Sequence, residues 1–215
     1  VWQWNNGICE LYHYGVKGMK WGVRRFQNYD GTPILKKGTI VKRVSTSRDD
    51  PTYDNKKYVS INQEDHSKWE AYIGEAYVKR NIATWTQTYT TTKDLRVMTA
   101  AKQGELYTRM LLDTKFKEQA ISDTDFSNRQ LGQKKSDDPA ENISRNVAMQ
   151  TATGKAFVKK ALEENYDVLF DTHGTNVSEN PVIVLNPNSN LSKSAAPEYT
   201  TPVKKFLEEY YKSVA

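Results

Sequence analysis

Asp171-Thr172-His173 places a carboxylate and an imidazole two positions apart, just after the apolar run of YDVLFD. A carboxylate that orients a histidine is an arrangement used for proton transfer, and a loop after a strand is a plausible place for it. The sequence assigns it no nucleophile, so His173 reads first as a turn residue. Asp65-His66 is a second such pair, at the start of a helical pattern, and reads as solvent-facing. With His13 these are the only histidines, and they share no ligand spacing such as HxxxH. Cys9 is the single cysteine, which leaves no intrachain disulfide and no Cys-based metal site. No phosphate loop and no metal-ligand series is present, so no metal site is expected.

The densest chemistry lies in residues 12–25, YHYGVKGMKWGVRR. The rings of Tyr12, His13, Tyr14 and Trp21 are interleaved with Met19 and the cations Lys17, Lys20, Arg24 and Arg25, and with Gly15, Gly18 and Gly22. Rings and Met19 anchor in grooves, glycines let backbone approach closely, and cations meet acidic surfaces or phosphates. Stacking of bases on Trp21 or Tyr14 is a second use. Wrapping the protein's own surface is a third. Clustered cations are unusual in a core, which favours docking.

The elements that must position these residues follow from periodicity. Residues 1–36 read as an extended, glycine-punctuated arm, because regularly spaced glycines disfavour an isolated helix. From Gly38 onward, GTIVKRVST and KYVSI read as strands across a polar turn carrying Pro51. Trp69, Tyr72, Ile73, Ala76 and Tyr77 fall on one face of an amphipathic helix. IATWTQTYTTT, KDLRVM, YDVLFD and PVIVLN read as further strands. AAKQGELYTRMLLDTKFKEQA reads as helical, residues 122–139 as a flexible polar loop, and 140–165 as one long helix opened by Asp138-Pro139. A final amphipathic helix is expected through Val203, Phe206, Leu207 and Tyr210. Strands and helices are intermixed without a strict βαβ rhythm, so the fold class is α+β with a mixed or antiparallel sheet. Residues 37–215 are expected to form one domain behind the arm.

Composition supports this layout. The chain has 215 residues and a net charge of +5. Lys17, Lys20, Arg24 and Arg25 against Glu10 supply +3 of that charge within residues 1–25, so the rest is nearly balanced. A basic N-terminal segment is indicated, rather than a basic domain face. The mean hydropathy is −0.78, and no apolar run approaches the roughly 20 residues of a membrane span, so no membrane insertion is expected. Thirteen Tyr and five Trp supply much of the area available for burial. The start, VWQWNNGICEL, lacks the pattern of a signal peptide.

ELYHYGVKGMKWGVRRFQNYDGT closely resembles a short sequence near the start of minor capsid, head-morphogenesis and other virion-associated proteins of bacteriophages and prophages of Gram-positive bacteria. Its form there is roughly HxGVxGMKWGVRRxQNxDG, and His13, Gly15, Val16, Gly18 to Arg25, Gln27, Asn28, Asp30 and Gly31 match it. The resemblance implies a virion-associated protein docked on capsid, portal or packaged DNA through Tyr12, His13, Lys17, Met19, Lys20, Trp21, Arg24 and Arg25. It implies the virion as location, the host cytoplasm during assembly or after injection, and an oligomeric state set by virion assembly. Maturation cleavage of a longer virion protein would account for a chain starting at Val1.

Several pieces of residues 38–190 resemble, more faintly, ADP-ribosyltransferase-type domains. These use an early-strand arginine, a second strand with an aromatic-x-Ser pattern, and a late acidic residue entering a strand. GTIVKRVS offers Arg43, KYVSI offers Tyr58 and Ser60, and YDVLFDTHGTNVSENPVIVLNP offers Glu179. The resemblance implies NAD as cofactor and a host protein as target. Arg43 would clamp the diphosphate, Tyr58 stack the nicotinamide, Ser60 orient the site and Glu179 act as the catalytic carboxylate. Two departures stand out. Val177 occupies the place of the first acid or amide of the E-x-E or Q-x-E pair in arginine-modifying members. Ser45-Thr46-Ser47 follows Arg43 too closely to be the second-strand serine. The residues also have plain roles: Arg43 as an exposed strand cation, Ser60 as a helix cap and Glu179 as a solvated loop acid. A non-catalytic protein that blocks a host factor is the remaining alternative.

Overall fold

A computed structural model describes residues 26–27, 32–52, 54–78 and 83–200. The expected arm residues Tyr12, His13, Lys17, Met19, Lys20, Trp21, Arg24 and Arg25, and the expected C-terminal helix, lie outside the described residues.

The fold is α+β. In chain order the strands are β1 (Phe26–Gln27), β2 (Pro33–Leu35), β3 (Ile40–Ser45) and β4 (Lys56–Ser60), followed by helix α1 (Gln63–Val78). Strands β5 (Trp85–Thr91) and β6 (Leu95–Met98) lead to four helices: α2 (Ala100–Met110), α3 (Thr114–Leu131), α4 (Pro139–Ala148) and α5 (Ala152–Glu163). The chain then returns through β7 (Val168–Phe170), a 3-10 turn (His173–Asn176) and β8 (Pro181–Leu185). A short helix α6 (Pro187–Asn190) and strands β9 (Leu191–Lys193) and β10 (Glu198–Tyr199) complete it. The mixed sheet runs β1-β2-β6-β7-β8-β4-β3-β5-β10, with β9 also on β5; β6 and β7 are parallel and the other pairs antiparallel.

β2 begins at Pro33 and pairs with β6, so the sheet starts inside the stretch expected to be arm. The sheet's centre is β8, where PVIVL is buried throughout. Side chains alternate across a strand, so Ile183 and Leu185 face one core while Val182 and Val184 face another. The first core adds Leu106 and Tyr107 from α2, Ile143 and Val147 from α4, and Phe157 and Ala161 from α5. The second adds Leu35, Val41, Val59, Leu95 and Val168.

The polar stretch 122–139 is helix as far as Leu131, and only the residues between α3 and α4 are irregular. Asp113 caps the start of α3 by accepting from the Phe116 amide at 2.9 Å, and Gly132 ends it in the left-handed conformation at φ 62°. Its buried face is polar: Thr124 accepts from Asn146 Nδ2 at 2.9 Å, and Asn128 Oδ1 accepts from Arg145 Nη1 at 2.7 Å. Hydrogen bonds between helices replace the apolar stripe that periodicity looks for. The expected long helix over 140–165 is two helices. They break at Gln150, whose φ is 55°, and Thr151 caps α5 by accepting from the Gly154 amide at 3.1 Å.

Candidate functional site

β3 and β4 form only one ladder pair, Lys42 with Ser60. Beyond it the strands part, and the Arg43 side chain enters the gap and donates from Nη1 to the Tyr58 carbonyl at 3.1 Å. β3 stays anchored by six pairs to β5, and β4 by five pairs to β8, so the opening leaves both strands supported. A cavity of about 280 Å³ lies here, at the small end of the range for ligand pockets. Arg43 and the Ser45-Thr46-Ser47 triplet line one side; Tyr58, Ser60, Asp171 and Pro181 line another. Trp69, Ile73 and Tyr77 of α1 line the cavity as well, at the i, i+4, i+8 spacing of one helix face. Tyr72, expected on that face, is 57% exposed and meets Trp69 edge-on.

Arg43 is held rather than free. Its Nε donates to Asp50 Oδ1 at 2.8 Å, which with the Tyr58 carbonyl engages two of the guanidinium's five N–H donors. The other three have no protein partner among the described residues. Asp50 lies in the β3–β4 connection with φ 44°, a left-handed conformation that aspartate tolerates better than most residues. Its carboxylate also accepts from Lys57 Nζ at 2.8 Å and from the Tyr89 hydroxyl. Burial would raise its pKa, but the Arg43 charge and the bonds from Lys57, Tyr89 and Arg43 outweigh that and hold it below the ordinary aspartate value.

Tyr58 lines the cavity, and its buried hydroxyl has no hydrogen-bond partner among the described residues. Burial, reinforced by the nearby Asp171 carboxylate, pushes the phenol well above its usual range, so Tyr58 stays neutral. The Asp171 carboxyl is itself buried, and that burial raises its pKa against the bonds it receives. It accepts from the Ser144 hydroxyl at 2.8 Å, and the same Ser144 oxygen accepts from the His173 amide at 3.0 Å. Asp171 therefore organises the turn after β7 while also forming part of the cavity wall.

The structure brings Arg43, Tyr58 and Ser60 to one cavity. Glu179 is beside it rather than in its lining: the carboxylate is 3.4 Å from Lys68 Nζ, and the Glu179 amide donates to Asp65 Oδ1 at 2.9 Å. The preceding residue, Ser178, accepts from the cavity-lining Trp69 indole at 2.9 Å. Ser60 is not the helix cap: Asn62 takes that role, accepting from the Asp65 amide at 2.7 Å. His66, expected at the surface, is 1% exposed and pairs through Nε2 with Glu70 at 2.9 Å. Trp69 and Asp171, which line the cavity, and Asp50, which reaches it only through Arg43, were not assigned to it by spacing. The aromatic face of α1 carried the signal for Trp69, and Asp171 was marked only through its spacing to His173.

Residues 8–28 match a family of unknown function, DUF7211. The match ends before β2 and covers a small fraction of the chain, so it says nothing about the cavity. No curated protein and no solved structure matches the chain. Among the described residues, no helix is long and apolar enough to cross a membrane.

Proposed function

We propose that the chain is a bacteriophage virion-associated protein whose α+β body binds NAD, in the manner of an ADP-ribosyltransferase, in the cavity between β3, β4 and α1. One observation carries the NAD reading. Arg43, Tyr58 and Ser60 line the same cavity, and Glu179 stands at the entrance to β8, the strand adjoining β4.

The geometry supports a division of labour. The three remaining Arg43 donors suit a diphosphate, which guanidinium binds through charge-assisted and bidentate bonds. The neutral Tyr58 ring offers a stacking surface for nicotinamide, and Ser60 a hydroxyl beside it. Glu179 reaches the ribose by rotating away from Lys68, where it hydrogen-bonds the 2′-hydroxyl and stabilises positive charge developing at the ribose C1′. The C1′–N bond breaks with its electron pair leaving on nicotinamide, and an acceptor nucleophile bonds to C1′ and releases its proton. Placing negative charge where positive charge develops is the kind of preorganisation that lowers such barriers. The virion half of the reading rests on residues 12–31 and their similarity to phage head proteins.

Labelled NAD tests the enzymatic half. Nicotinamide release is expected with the wild-type chain and lost in Glu179→Ala, with NAD affinity retained. Absence of NAD binding by calorimetry would remove this reading and leave a docking protein.

A further inference from the structure

We infer that Asp50 is a positioning residue for Arg43, fixing the guanidinium so that its unused donors face the cavity; its significance for NAD rests on the function proposed above. A guanidinium on a flexible stem would spread its donors over many directions. A single anchor at Nε fixes the orientation of the plane, and the Tyr58 carbonyl fixes its rotation.

Asp50 can serve this way because it is itself immobilised. Its side chain is 1% exposed, and Oδ2 is engaged by Lys57 Nζ and the Tyr89 hydroxyl, which leaves Oδ1 for Arg43. Lys57 Nζ also donates to the Asp50 carbonyl at 3.0 Å and lies over the Tyr89 ring at 4.7 Å. One buried carboxylate thus serves two cations, so the cluster retains a net positive charge whose unsatisfied donors belong to Arg43. Asp50, Lys57 and Tyr89 line a second cavity, which Arg43 does not line. The carboxylate therefore sits between the two cavities, with one oxygen directed to each group of donors.

The test uses inorganic pyrophosphate and NAD as separate probes, with the full chain. Asp50→Asn is expected to weaken pyrophosphate binding about as much as Arg43→Gln, on the order of 10-fold or more. The double variant should bind no worse than Arg43→Gln alone. Tyr89→Phe, which removes one of the two donors on the other carboxylate oxygen and leaves Lys57 Nζ to hold it, should weaken pyrophosphate binding less than Asp50→Asn does while lowering thermal stability. The Arg43 Nε–H resonance provides a readout independent of any ligand: exchange-protected in the wild type and in Tyr89→Phe, and lost in Asp50→Ala, which leaves no acceptor oxygen. If Asp50→Asn does not fold, Asp50→Glu, which displaces the carboxylate by one methylene, takes its place with the same expectations at smaller size. Multiplicative penalties in the double variant, or a protected Nε–H in Asp50→Ala, would overturn the inference. Arg43-dependent pyrophosphate binding without NAD binding would remove the NAD reading and leave the role of Asp50 standing. If neither probe binds, the Nε–H signal alone decides it.

Discussion

Trp69 on α1 donates its indole N–H to Ser178 Oγ at 2.9 Å, tying the helix that walls the cavity to the segment that delivers Glu179. The bond joins residues 109 positions apart in the chain. The Asp65 carboxylate adds a second tie by accepting from the Glu179 amide at 2.9 Å. Helix α1 and the 171–180 connection are therefore positioned together.

Ser178→Ala tests this tie. Removing the acceptor leaves a part-buried indole N–H without its partner, a loss of about 1 kcal/mol and a fall of roughly 2–4 °C in melting temperature for a chain of this size. Nicotinamide release should fall with it, because the segment before Glu179 is no longer fixed. Scanning calorimetry and a turnover assay measure both effects, and an unchanged melting temperature would rule the tie out.

Acid should unfold the protein in part through Asp50. Its folded-state pKa lies below the ordinary value of 3.8, so the unfolded chain takes up the proton first as pH falls. The stability Asp50 contributes is complete above that unfolded value and is lost as pH falls through the lower folded one. Urea midpoints measured from about pH 5 to pH 2 should fall more steeply for the wild type than for Asp50→Asn. Parallel curves would show that Asp50 does not titrate differently in the two states.

Gly154 lies in the first turn of α5, where α5 packs against the end of α4. A Cβ there would overlap the Asn146 carbonyl and stand 2.8 Å from the Val147 amide nitrogen, both backbone groups that cannot rotate aside. Gly154→Ala should therefore destabilise the protein by about 1–3 kcal/mol, although alanine is the better helix former. Denaturant unfolding measures this, and a stabilised variant would contradict the close approach.

The virion association proposed above is tested by deleting residues 1–31, which on that proposal should abolish co-purification with phage heads. Incorporation into heads at the wild-type level would remove the docking role of Trp21 and its neighbouring cations.

The strands that carry the cavity were legible because each has a β-branched or apolar run bounded by turn residues: IVKRVS for β3, KKYVS for β4 and PVIVL for β8. The start of α4 was equally legible, since Asp138 before Pro139 is a capping signal and the side chain does accept from the Ala140 amide at 2.9 Å. The C-terminal half of α3 was hidden because its inner face carries Thr124, Ser127 and Asn128 in place of leucines. Asp50 was hidden for a different reason. Its role depends on Arg43, Lys57 and Tyr89 meeting in space, and nothing in a polar, proline-bearing turn marks one of its acids as buried. His66 read as surface because a histidine beside an acid at a helix start resembles a solvated end, whereas α1 lays that side of the turn against Thr86 of β5.

Among the described residues, the single rung between Lys42 and Ser60 is the only ladder pair joining two groups of strands. On one side of it stand β1, β2, β6, β7, β8 and β4; on the other stand β3, β5, β9 and β10. Each group has its own ladders, and across the rung the two are held together by side chains: Val41 and Tyr89 from one group share a core with Val59 and Val182 from the other, and α1 packs on both β3 and β4. Arg43 spans that joint, linking the loop after its own strand to a carbonyl on the far side. A ligand that drew the guanidinium away from the Tyr58 carbonyl would therefore exchange a bond that crosses between the two groups for one to itself, so the strength of that crossing bond sets part of the cost of binding.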